Sequence, residues 1–507
     1  MPSPEEHQQH VDVLIVGAGL SGIAAGYYLQ ANCPGKSYAI LESRDSIGGT
    51  WDLFRYPGIR SDSDMFTLGY GFRPWRAAKA IADGPAILEY VKDTAREYGI
   101  DRHIRFGHRV VRAEWSTDEQ RWTVEAERTD TGESVKLTAG FLFGCTGYYR
   151  YDEGYTPDLP GIERFGGPVI HPQHWPEDLD YKGKRVVVIG SGATAVTLVP
   201  AMAEDAAHVT MLQRSPSYVV SLPGEDPLAK VVQRVLPERR AHSVLRWKNY
   251  FLMHGSYQLS QRRPELMRKI MRAGVKKSLP AGYDIDTHFN PTYKPWDQRV
   301  CLVPDGDLFI ALSDGSASMV TDRIKTFTET GIELESGQVL EADIVITATG
   351  LNMLLFGGMD VRVDGREIDP AQSLTYRGMM LGGVPNLAFA VGYTNASWTL
   401  KCDLICQYVA RLLNHMDARG YTQATPRPPA DSGEGEPFIN LTSGYVLRSV
   451  DKFPRQGAAA PWRVYNNYLR DISLIRRADL EEGMEFAFGP PAAAEPAEPL
   501  ELVADSA

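Results

Sequence analysis

The sequence predicts an α/β protein with two Rossmann-like dinucleotide-binding domains, and two glycine-rich turns carry this prediction. The turns at residues 17–22 and 190–195 each follow a β-branched strand and open an apolar helix. In such a unit the backbone N–H groups at the start of the helix bind nucleotide phosphates. A length of 507 residues also exceeds what one hydrophobic core organises.

The domain order follows from where strand patterns stop and resume. We expect a discontinuous first domain, formed by residues 1–150 and 342–488, with its strand at 343–346 returning the chain to it. The second domain, residues 151–341, is inserted into the first and contains a helical insertion at about 225–295. Residues 489–507 are rich in Pro, Ala and Glu, a composition typical of disorder.

Charge and hydropathy exclude two classes of protein. The formal net charge of -11 leaves no dominant basic field for a phosphate backbone, so no nucleic-acid partner is expected. No apolar run approaches the ~20 residues of a transmembrane helix. The apolar run Val11–Val16 ends in a glycine turn, which favours a strand over a signal peptide.

The five cysteines indicate reduced, structural thiols. They are odd in number and none has C-x-x-C spacing, so we expect neither a metal site nor a redox disulfide. Cys402 and Cys406 have the spacing of neighbours on one helix face, and Cys145 reads as a small buried residue. Reduced thiols of this kind fit a cytoplasmic protein.

The first nucleotide unit has the features that make a glycine motif specific. Gly17 permits the tight turn, Gly19 lets a pyrophosphate approach the backbone, and Gly22 allows close packing of helix on strand. The next strand, 37–41, ends on Glu42. That carboxylate would accept a hydrogen bond from a ribose 2′-hydroxyl and repel a 2′-phosphate, so the first nucleotide is FAD or NAD.

A long loop follows at residues 48–62, rich in Gly, aromatic and charged side chains. Long aromatic loops beside a nucleotide site are usually functional. A helix is predicted at 84–100, strands at 105–124 and 133–142, and a crossover turn at 143–147.

The second nucleotide unit differs from the first where selectivity is set. Its strand at 185–189 leads into the turn at 190–195, and the following strand at 208–212 ends in Gln213, Arg214 and Ser215. Replacing a carboxylate with donor groups suits a 2′-phosphate, so the second nucleotide is predicted to be NADPH. The alternative is that Arg214 is only a solvated surface charge.

The segment 165–176 between the two units is irregular, with three prolines and two glycines. It includes His171 and Trp175, which could link the two cofactor sites or simply pack against a domain edge. The region 225–280 is basic with helical apolar spacing, as in Leu266 and Ile270 or Met267 and Met271. We favour a domain-packing helix here, and peripheral contact with a membrane surface stays open.

The last part of the chain completes the first domain. A strand at 385–392 is followed by Tyr393 to Ser397, which we expect to cap an amphipathic helix on Leu400, Leu404, Tyr408 and Leu412. The positive N-terminus of that helix would stabilise negative charge near a cofactor.

Two sequence fingerprints in this chain resemble those of the type I Baeyer–Villiger monooxygenases. Residues 165–176 fit Phe-x-Gly-x-x-x-His-x-x-x-Trp-Pro, and residues 49–62 fit Gly-x-Trp-x-x-x-x-Tyr-Pro-Gly-x-x-x-Asp. The resemblance extends from residue 11 to about 488. Residues 37–75, 171–217 and 392–403 are most similar to the ethionamide-activating branch of that family.

The resemblance implies FAD in the first domain and NADPH in the second. The expected FAD contacts are Gly17, Gly19, Ser21, Gly22, Glu42, Gly49, Thr50, Trp51, Asp62 and Val110. The expected NADPH contacts are Arg60, Gly190, Ser191, Gly192, Ala193, Thr194, Ala195, Arg214 and Ser215.

The resemblance also implies a reaction and a catalytic set, Arg299, Asp62, His171 and Trp175. Ketones would become esters or lactones, and sulfides or thioamides would be oxygenated, through a flavin C4a-(hydro)peroxide. Arg299 would supply positive charge oriented by Asp62, while His171 and Trp175 would couple NADPH binding to domain arrangement. Gln298 replaces the usual lysine, which places more of the 2′-phosphate recognition on Arg214.

Three alternatives stay open on the sequence. A pyridine nucleotide–disulfide reductase shares the two-nucleotide plan but needs a redox cysteine pair. An N- or S-oxygenating flavin monooxygenase without ketone activity is nearer, although Trp175 followed by Pro176 favours the Baeyer–Villiger branch. A non-oxygenating FAD/NADPH redox sensor is the third.

Overall fold

A computed structural model describes residues 9–430, 432–439 and 441–489. Two sheets with helices around them form the body of the protein, as the α/β prediction requires. The tail predicted to be disordered lies outside the described residues except for Gly489.

The first sheet has eleven strands, and its parallel centre carries the first glycine turn. In spatial order its strands are Arg366–Glu367, Asp360–Val363, His108–Ser116, Arg121–Arg128, Ser134–Gly144, Gln9–Val16, Tyr38–Leu41 and Ile104–Arg105, with Leu387–Phe389, Met380–Leu381 and Thr375–Tyr376 branching from Ser134–Gly144. The central strand buries Val13, Leu14 and Ile15 completely. Strands buried on both faces are continuous runs of apolar, β-branched residues, which is why the strand Gln9–Val16 could be predicted from the sequence.

The second sheet is parallel throughout and carries the second glycine turn. Its strands, in spatial order, are Ala317–Thr321, His208–Gln213, Arg185–Ile189, Ile344–Thr347 and Val169–Ile170. The edge strand Val169–Ile170 comes from the irregular segment at 165–176, which therefore joins the sheet rather than lying free on the surface.

The strand at 343–346 was expected to return the chain to the first domain, and this prediction is wrong in position. Ile344–Thr347 pairs with Arg185–Ile189 on one side and Val169–Ile170 on the other, so it belongs to the second sheet. A short apolar strand fits a buried slot in either sheet, and only the long-range pairing decides which. The chain crosses back afterwards, where Leu351–Met353 pairs antiparallel with Tyr149–Gly154.

Helices surround the two sheets. The longer ones are Leu20–Asn32, Gly84–Glu97, Ala193–Ala203, Ala229–Val235, Glu238–Arg262, Pro264–Ser278, Asp307–Asp314 and Trp398–Arg419. Short helices are Thr50–Leu53, Met65–Leu68, Ile285–His288, Gly444–Leu447 and Tyr468–Asp471. The first of these lies inside the segment expected to be a continuous loop, so part of that segment is a single helical turn.

The capping expected before Trp398–Arg419 is also wrong in detail. Ser397 stands at the N-cap position, but its side chain makes no capping hydrogen bond. Its hydroxyl instead lies 2.6 Å from that of Thr67, because the residue is fully buried against the Met65–Leu68 helix.

The helical insertion spans the two domains. Its long helix, Glu238–Arg262, packs on Met65–Leu68 of the first domain, while Pro264–Ser278 packs beside strand Val219–Leu222 and helix Asp307–Asp314. Arg246 fixes the first contact, since it donates to the carbonyls of Phe66 (3.2 Å) and Gly69 (2.6 Å) and to Asp403 Oδ2 (3.0 Å). In the described part of the chain, no helix is both long and apolar enough to cross a bilayer.

Candidate active site

A cleft of about 1400 Å³ runs between the carboxyl ends of the parallel strands of the two sheets and is lined by both glycine turns. Single ligand pockets measure roughly 300–1,000 Å³, so this cleft is large enough for more than one ligand. The carboxyl edge of parallel strands is where open α/β sheets bind nucleotides.

The cleft brings together most of the residues expected to bind FAD. Those lining it are Gly17, Gly19, Ser21, Glu42, Gly49, Thr50, Trp51, Asp62 and Val110. Gly22 does not line the cleft, and its role is the packing one. A Cβ there would lie 1.9 Å from the Gly17 carbonyl oxygen, so no other residue fits between helix and turn.

Glu42 is buried at the end of its strand and faces the cleft. Its Oε2 accepts from the Ala18 N–H at 2.7 Å and its Oε1 from the Arg44 N–H at 2.9 Å. Burial raises the pKa of this carboxyl, and the two backbone N–H groups oppose that rise. Oε1 also accepts from the Ser43 hydroxyl at 3.3 Å, whereas Oε2 keeps a further lone pair, so the carboxylate is fixed yet still able to accept a ribose hydroxyl.

Ser21 and Thr50 are held by side chains that the sequence did not point to. The Trp398 indole Nε1 donates to Ser21 Oγ at 2.8 Å, which ties the first glycine turn to the Trp398–Arg419 helix. The Thr50 hydroxyl lies 3.2 Å from that of Tyr151. Both Trp398 and Tyr151 also line the cleft.

Arg299 and Asp62 meet across the cleft. Arg299 Nη1 donates to Asp62 Oδ2 at 3.1 Å, joining the turn after the helical insertion to the 48–62 segment of the first domain. Burial alone would lower the pKa of Arg299, but the Asp62 carboxylate opposes it and the pKa lies well above its usual range. The guanidinium is therefore a permanent positive charge in the cleft.

Tyrosines surround this pair. Tyr148, Tyr149 and Tyr445 line the cleft beside Arg299. Burial raises the pKa of Tyr445 to about 12, and the Arg299 guanidinium lowers it only in part. The phenol is consequently neutral at physiological pH. The sequence signal was the aromatic run after Gly147, at the carboxyl end of a strand, whereas Tyr445 had no local signal.

The second glycine turn contributes five of its six predicted residues to the cleft, Gly190, Ser191, Gly192, Ala193 and Thr194. Ala195 does not line it. That residue lies one step further into the helix and packs completely buried against the second sheet. The Ser191 hydroxyl lies 2.8 Å from that of Ser217 and donates to the Ser215 carbonyl at 3.2 Å, which fixes the next strand end beside the turn.

Arg214 and Ser215 line the cleft as expected, but Gln213 does not. The Gln213 amide points inward and donates to the His288 carbonyl at 2.9 Å and to Thr321 Oγ1 at 2.8 Å. Arg214 is exposed and makes no ion pair with the described residues. Its guanidinium is thus the available donor at this position.

Arg60 lines the cleft but already has a carboxylate partner. It forms a bidentate pair with Asp307, whose second contact joins Nη2 to Oδ1 at 3.3 Å. The sequence could not reveal this pair, because the two residues are 247 positions apart.

Of the residues expected to be catalytic, His171 and Trp175 do not line the cleft, whereas Arg299 and Asp62 do. His171 Nε2 donates to the Gly350 carbonyl at 3.0 Å, and Nδ1 accepts from the Gln173 N–H at 3.2 Å. Burial lowers the pKa of His171, which keeps the ring neutral. The ring also fills the space beside Gly154, where a Cβ would lie 2.0 Å from His171 Cε1.

The segment at 165–176 hydrogen-bonds to both places where the chain crosses between the domains, near residues 149–154 and 350–353. The Gln173 amide donates to the carbonyls of Arg150 (3.0 Å) and Tyr151 (2.8 Å) in one crossing, while His171 binds Gly350 beside the other. Trp175 packs half-buried against the core of the second domain. The neighbouring His174, which the sequence did not single out, does line the cleft.

Two other sites are absent from the described residues. No group of three or more His, Cys, Asp or Glu side chains could hold a metal ion there. All five cysteines are free and buried, so no disulfide lies beside the cleft.

The chain matches known protein families and characterised relatives. A family model described as flavin-binding monooxygenase-like matches residues 81–363, and one described as an NAD(P)-binding Rossmann-like domain matches residues 15–92. The chain is 58% identical over 484 residues to the FAD-containing monooxygenase EthA of Mycobacterium tuberculosis, covering 95% of this chain and 99% of the relative. It is 54% identical over 475 residues to EthA of Mycolicibacterium smegmatis, covering 94% and 96%.

Solved structures share the fold. An oxidized steroid monooxygenase bound to NADP matches with a TM-score of 0.77 at 22% identity, and OTEMO in complex with FAD and NADP with 0.73 at 21% identity. Each match covers 95% of this chain and all of the other. The predicted two-nucleotide α/β fold is thereby confirmed.

Proposed function

The chain belongs to the flavin-binding monooxygenase-like family, and on that premise we propose that it is an FAD-containing, NADPH-dependent monooxygenase of the Baeyer–Villiger type. Its substrates are small ketones, converted to esters or lactones, and sulfides or thioamides, which it oxygenates with dioxygen. One observation carries the proposal, the Arg299–Asp62 pair placed between the two glycine turns of a single cleft.

The residues at the first turn fit FAD. The fixed Glu42 carboxylate suits a ribose hydroxyl, and the N–H groups at the start of Leu20–Asn32 suit the pyrophosphate. Gly49, Thr50, Trp51 and Asp62 would border the rest of the cofactor. When bound, FAD accepts a hydride from NADPH and activates dioxygen.

The residues at the second turn fit NADPH. Arg214 offers a guanidinium without a carboxylate partner among the described residues, and Ser215 adds a hydroxyl. Because Gln213 points inward and Gln298 is neutral, Arg214 is the main cation for a 2′-phosphate. Arg60 would contribute only if its bond to Asp307 were shared or exchanged.

Arg299 stabilises negative charge that develops on a ketone's oxygen during the reaction. A positive charge fixed in advance costs no reorganisation when that negative charge appears. Asp62 holds one guanidinium nitrogen and so sets the direction of the others. The phenols of Tyr149 and Tyr445 lie beside Arg299, and because burial raises the pKa of both, neither competes as an anion.

His171, Gln173 and Trp175 position the domains rather than perform chemistry. His171 and Gln173 hydrogen-bond to the two chain segments that cross between the domains, and Trp175 packs against the second domain, so a shift of the NADPH-side domain would reach both segments. Tyr151 belongs to one crossing and also bonds Thr50 at the FAD side. The segment therefore lies on a continuous path between the two cofactor sites.

A cytoplasmic location is the expectation that goes with this function. Five buried, unpaired thiols fit a reducing compartment.

The test is product formation per NADPH consumed, measured with linear, cyclic and aryl ketones and with thioethers. We expect FAD-loaded protein to consume NADPH and to form ester, lactone or sulfoxide in step with it. Sulfoxide without ester would favour the S-oxygenating alternative. Peroxide in place of any oxygenated product would contradict the proposal and indicate a reductase or redox sensor.

A further inference from the structure

The helical insertion exposes an unusual number of large apolar side chains. Of seventeen such exposed side chains in the described residues, nine lie between residues 228 and 270. They are Leu228, Val231, Val235, Val244, Trp247, Phe251, Leu252, Leu266 and Ile270. Scattered single residues of this kind are normal on a protein surface, whereas a concentration in one short region indicates an interaction surface.

These side chains form stripes at helical spacing. Leu228, Val231 and Val235 stand on one face of Ala229–Val235, and Val244, Trp247 and Phe251 stand on one face of Glu238–Arg262. The two helices pack together through Ala229, Val232 and Leu245 on the opposite, buried side. We call this outward surface, with Leu252, Leu266 and Ile270, the insertion face.

The third helix repeats the pattern. Met267 and Val275 of Pro264–Ser278 are buried, Met271 is half-buried, and Leu266 and Ile270 are about half exposed. The sequence had shown two apolar spacings on this helix. Only one of them packs against the protein, and the other faces outward.

The helical insertion that carries this face is strongly basic in an acidic protein. Residues 225–288 contain thirteen Lys or Arg and six Asp or Glu, a formal net charge of +7, while the whole chain carries -11. Among the described residues, eight of the thirteen are exposed and form no ion pair: Arg234, Arg239, Arg240, Arg262, Arg263, Lys269, Lys276 and Lys277.

Helical spacing puts charge and apolar side chains on the same side. Arg240 precedes Val244 by four residues, and Lys277 follows Leu266 by eleven, so each shares a face with an apolar stripe. A stacked aromatic pair, Trp247 over Phe251 at 5.6 Å, stands within this face. Aromatic and aliphatic side chains bordered by Lys and Arg are the composition of helices that lie in a membrane interface.

We propose that the insertion face docks the protein on an anionic lipid bilayer, with the apolar stripes in the headgroup region and the Lys and Arg side chains against lipid phosphates. Charge selects this occupant over a second copy of the chain. Docking two copies through the same face would bring together two segments that each carry a formal net charge of +7. An anionic bilayer complements the charge and also accepts the apolar side chains.

The test uses FAD-loaded full-length protein and vesicles of phosphatidylcholine with or without 30% phosphatidylglycerol. Co-flotation should occur with the anionic vesicles, weaken at high salt, and be small with neutral vesicles. Each basic residue at such a surface contributes about fivefold in partitioning, equivalent to ~1 kcal/mol. Reversing two charges in Arg239→Glu/Arg240→Glu should therefore lower partitioning by at least about twentyfold.

Matched variants separate this face from general surface effects. Phe251→Ser/Leu252→Ser should reduce flotation strongly, while Ile310→Ser, which removes an apolar side chain 59% exposed elsewhere, should not. Arg164→Glu/Lys182→Glu is the charge control outside the insertion. All seven substituted residues lie outside the cleft, so FAD content and thermal midpoint should be unaltered in every variant, which excludes misfolding as the cause.

Three results would overturn the proposal. The first is equal flotation with neutral and anionic vesicles, and the second is an equal loss of flotation in the insertion and control variants. The third is a dimer in sedimentation analysis that Phe251→Ser/Leu252→Ser converts to monomer while vesicle binding is absent, which would make the face a contact between copies.

Discussion

Lys401 Nζ lies 2.7 Å from Asp471 Oδ2, and both side chains are only 4% exposed. The Tyr393 hydroxyl donates to the same oxygen at 2.7 Å, and Tyr393 lines the cleft. One buried carboxylate in the C-terminal segment thus fixes both the start of the Trp398–Arg419 helix and a wall of the active site. Burial, with Asp471 nearby, raises the pKa of Tyr393 far above its usual range, so it remains a neutral donor.

Removing one partner of this pair should destabilise the protein strongly. Asp471→Ala leaves an unpaired charge inside the protein, which typically costs about 3–5 kcal/mol in the free energy of unfolding. Glu119→Ala, which breaks the exposed pair with Arg121, should cost less than about 1 kcal/mol. Urea unfolding of both variants measures the difference, and similar losses would show that the buried pair has no special role.

Arg299 should be required for oxygenation but not for holding FAD. One preorganised donor at developing charge is worth roughly 2.7–4 kcal/mol, or about 10²–10³ in rate. Arg299→Ala should therefore retain FAD and lose nearly all ester or sulfoxide formation per NADPH consumed. Arg299→Lys keeps the positive charge but lacks the planar guanidinium, so its product yield per NADPH should lie between those of the parent and Arg299→Ala.

Asp62→Ala should slow flavin reduction and oxygenation together, because Arg299 loses the carboxylate that orients it. Stopped-flow reduction and product yield measure the two effects. Ester formation by Arg299→Ala at the parent rate and coupling would leave Arg299 as a structural cation only.

Arg214 should set the preference for NADPH over NADH. Losing one charge-assisted hydrogen-bonding group costs roughly 1.5–3 kcal/mol, or about 10- to 150-fold in affinity. Arg214→Ala should weaken NADPH binding by that factor and leave NADH nearly unchanged, as titration with each coenzyme would show. Arg164→Ala, an exposed arginine of the same domain, is the control. Equal losses for both coenzymes would remove Arg214 from the 2′-phosphate.

Trp175 should matter for communication between the sites and not for FAD binding. Trp175→Ala removes half-buried packing against the second domain, so flavin reduction or its reaction with oxygen should slow while FAD content is retained. Gln173→Ala frees the crossing at residues 150–151 and should act in the same direction. Stopped-flow traces unchanged in both half-reactions would make the segment a packed connector.

His242 should make stability fall in acid. It is buried on the Glu238–Arg262 helix, where burial and then the nearby Arg246 lower its pKa to about 4. The unfolded chain binds a proton on this histidine near pH 6.5, whereas the folded chain does so only near pH 4. The contribution of neutral His242 to the free energy of unfolding is therefore complete above pH 6.5 and is lost as pH falls towards 4.

Over that window the loss amounts to about 3 kcal/mol. His242→Gln should remove it, so the variant should resist a shift from pH 7.5 to pH 5 better than the parent in urea unfolding. An identical pH dependence in the two proteins would show that His242 is not the group responsible.

The sequence by itself determined the parts of this protein that are local in the chain. Each nucleotide unit needs a strand, a glycine turn and a helix within about thirty residues, so Gly17, Gly22 and Gly190 could be placed without any partner. Glu42 against Arg214 then separated the two nucleotides by charge alone. Arg299 and Asp62 were paired only through the family resemblance, and their 3.1 Å contact required the fold.

Only the tertiary structure decided which way individual side chains and strands turn. Ile344–Thr347 fits either sheet by composition, and its pairing with two distant strands assigns it to the second. Gln213 turns inward because the His288 carbonyl and Thr321 hydroxyl satisfy its amide, and Asp307 occupies Arg60 from 247 residues away. The apolar spacing of the Pro264–Ser278 helix likewise predicted two apolar faces, and the burial of Met267 and Val275 shows which one faces the protein. Which side chains are buried, and which partners they contact, depends on residues far apart in the chain. The local sequence pattern shows that a residue can form a contact but does not identify the residue it contacts.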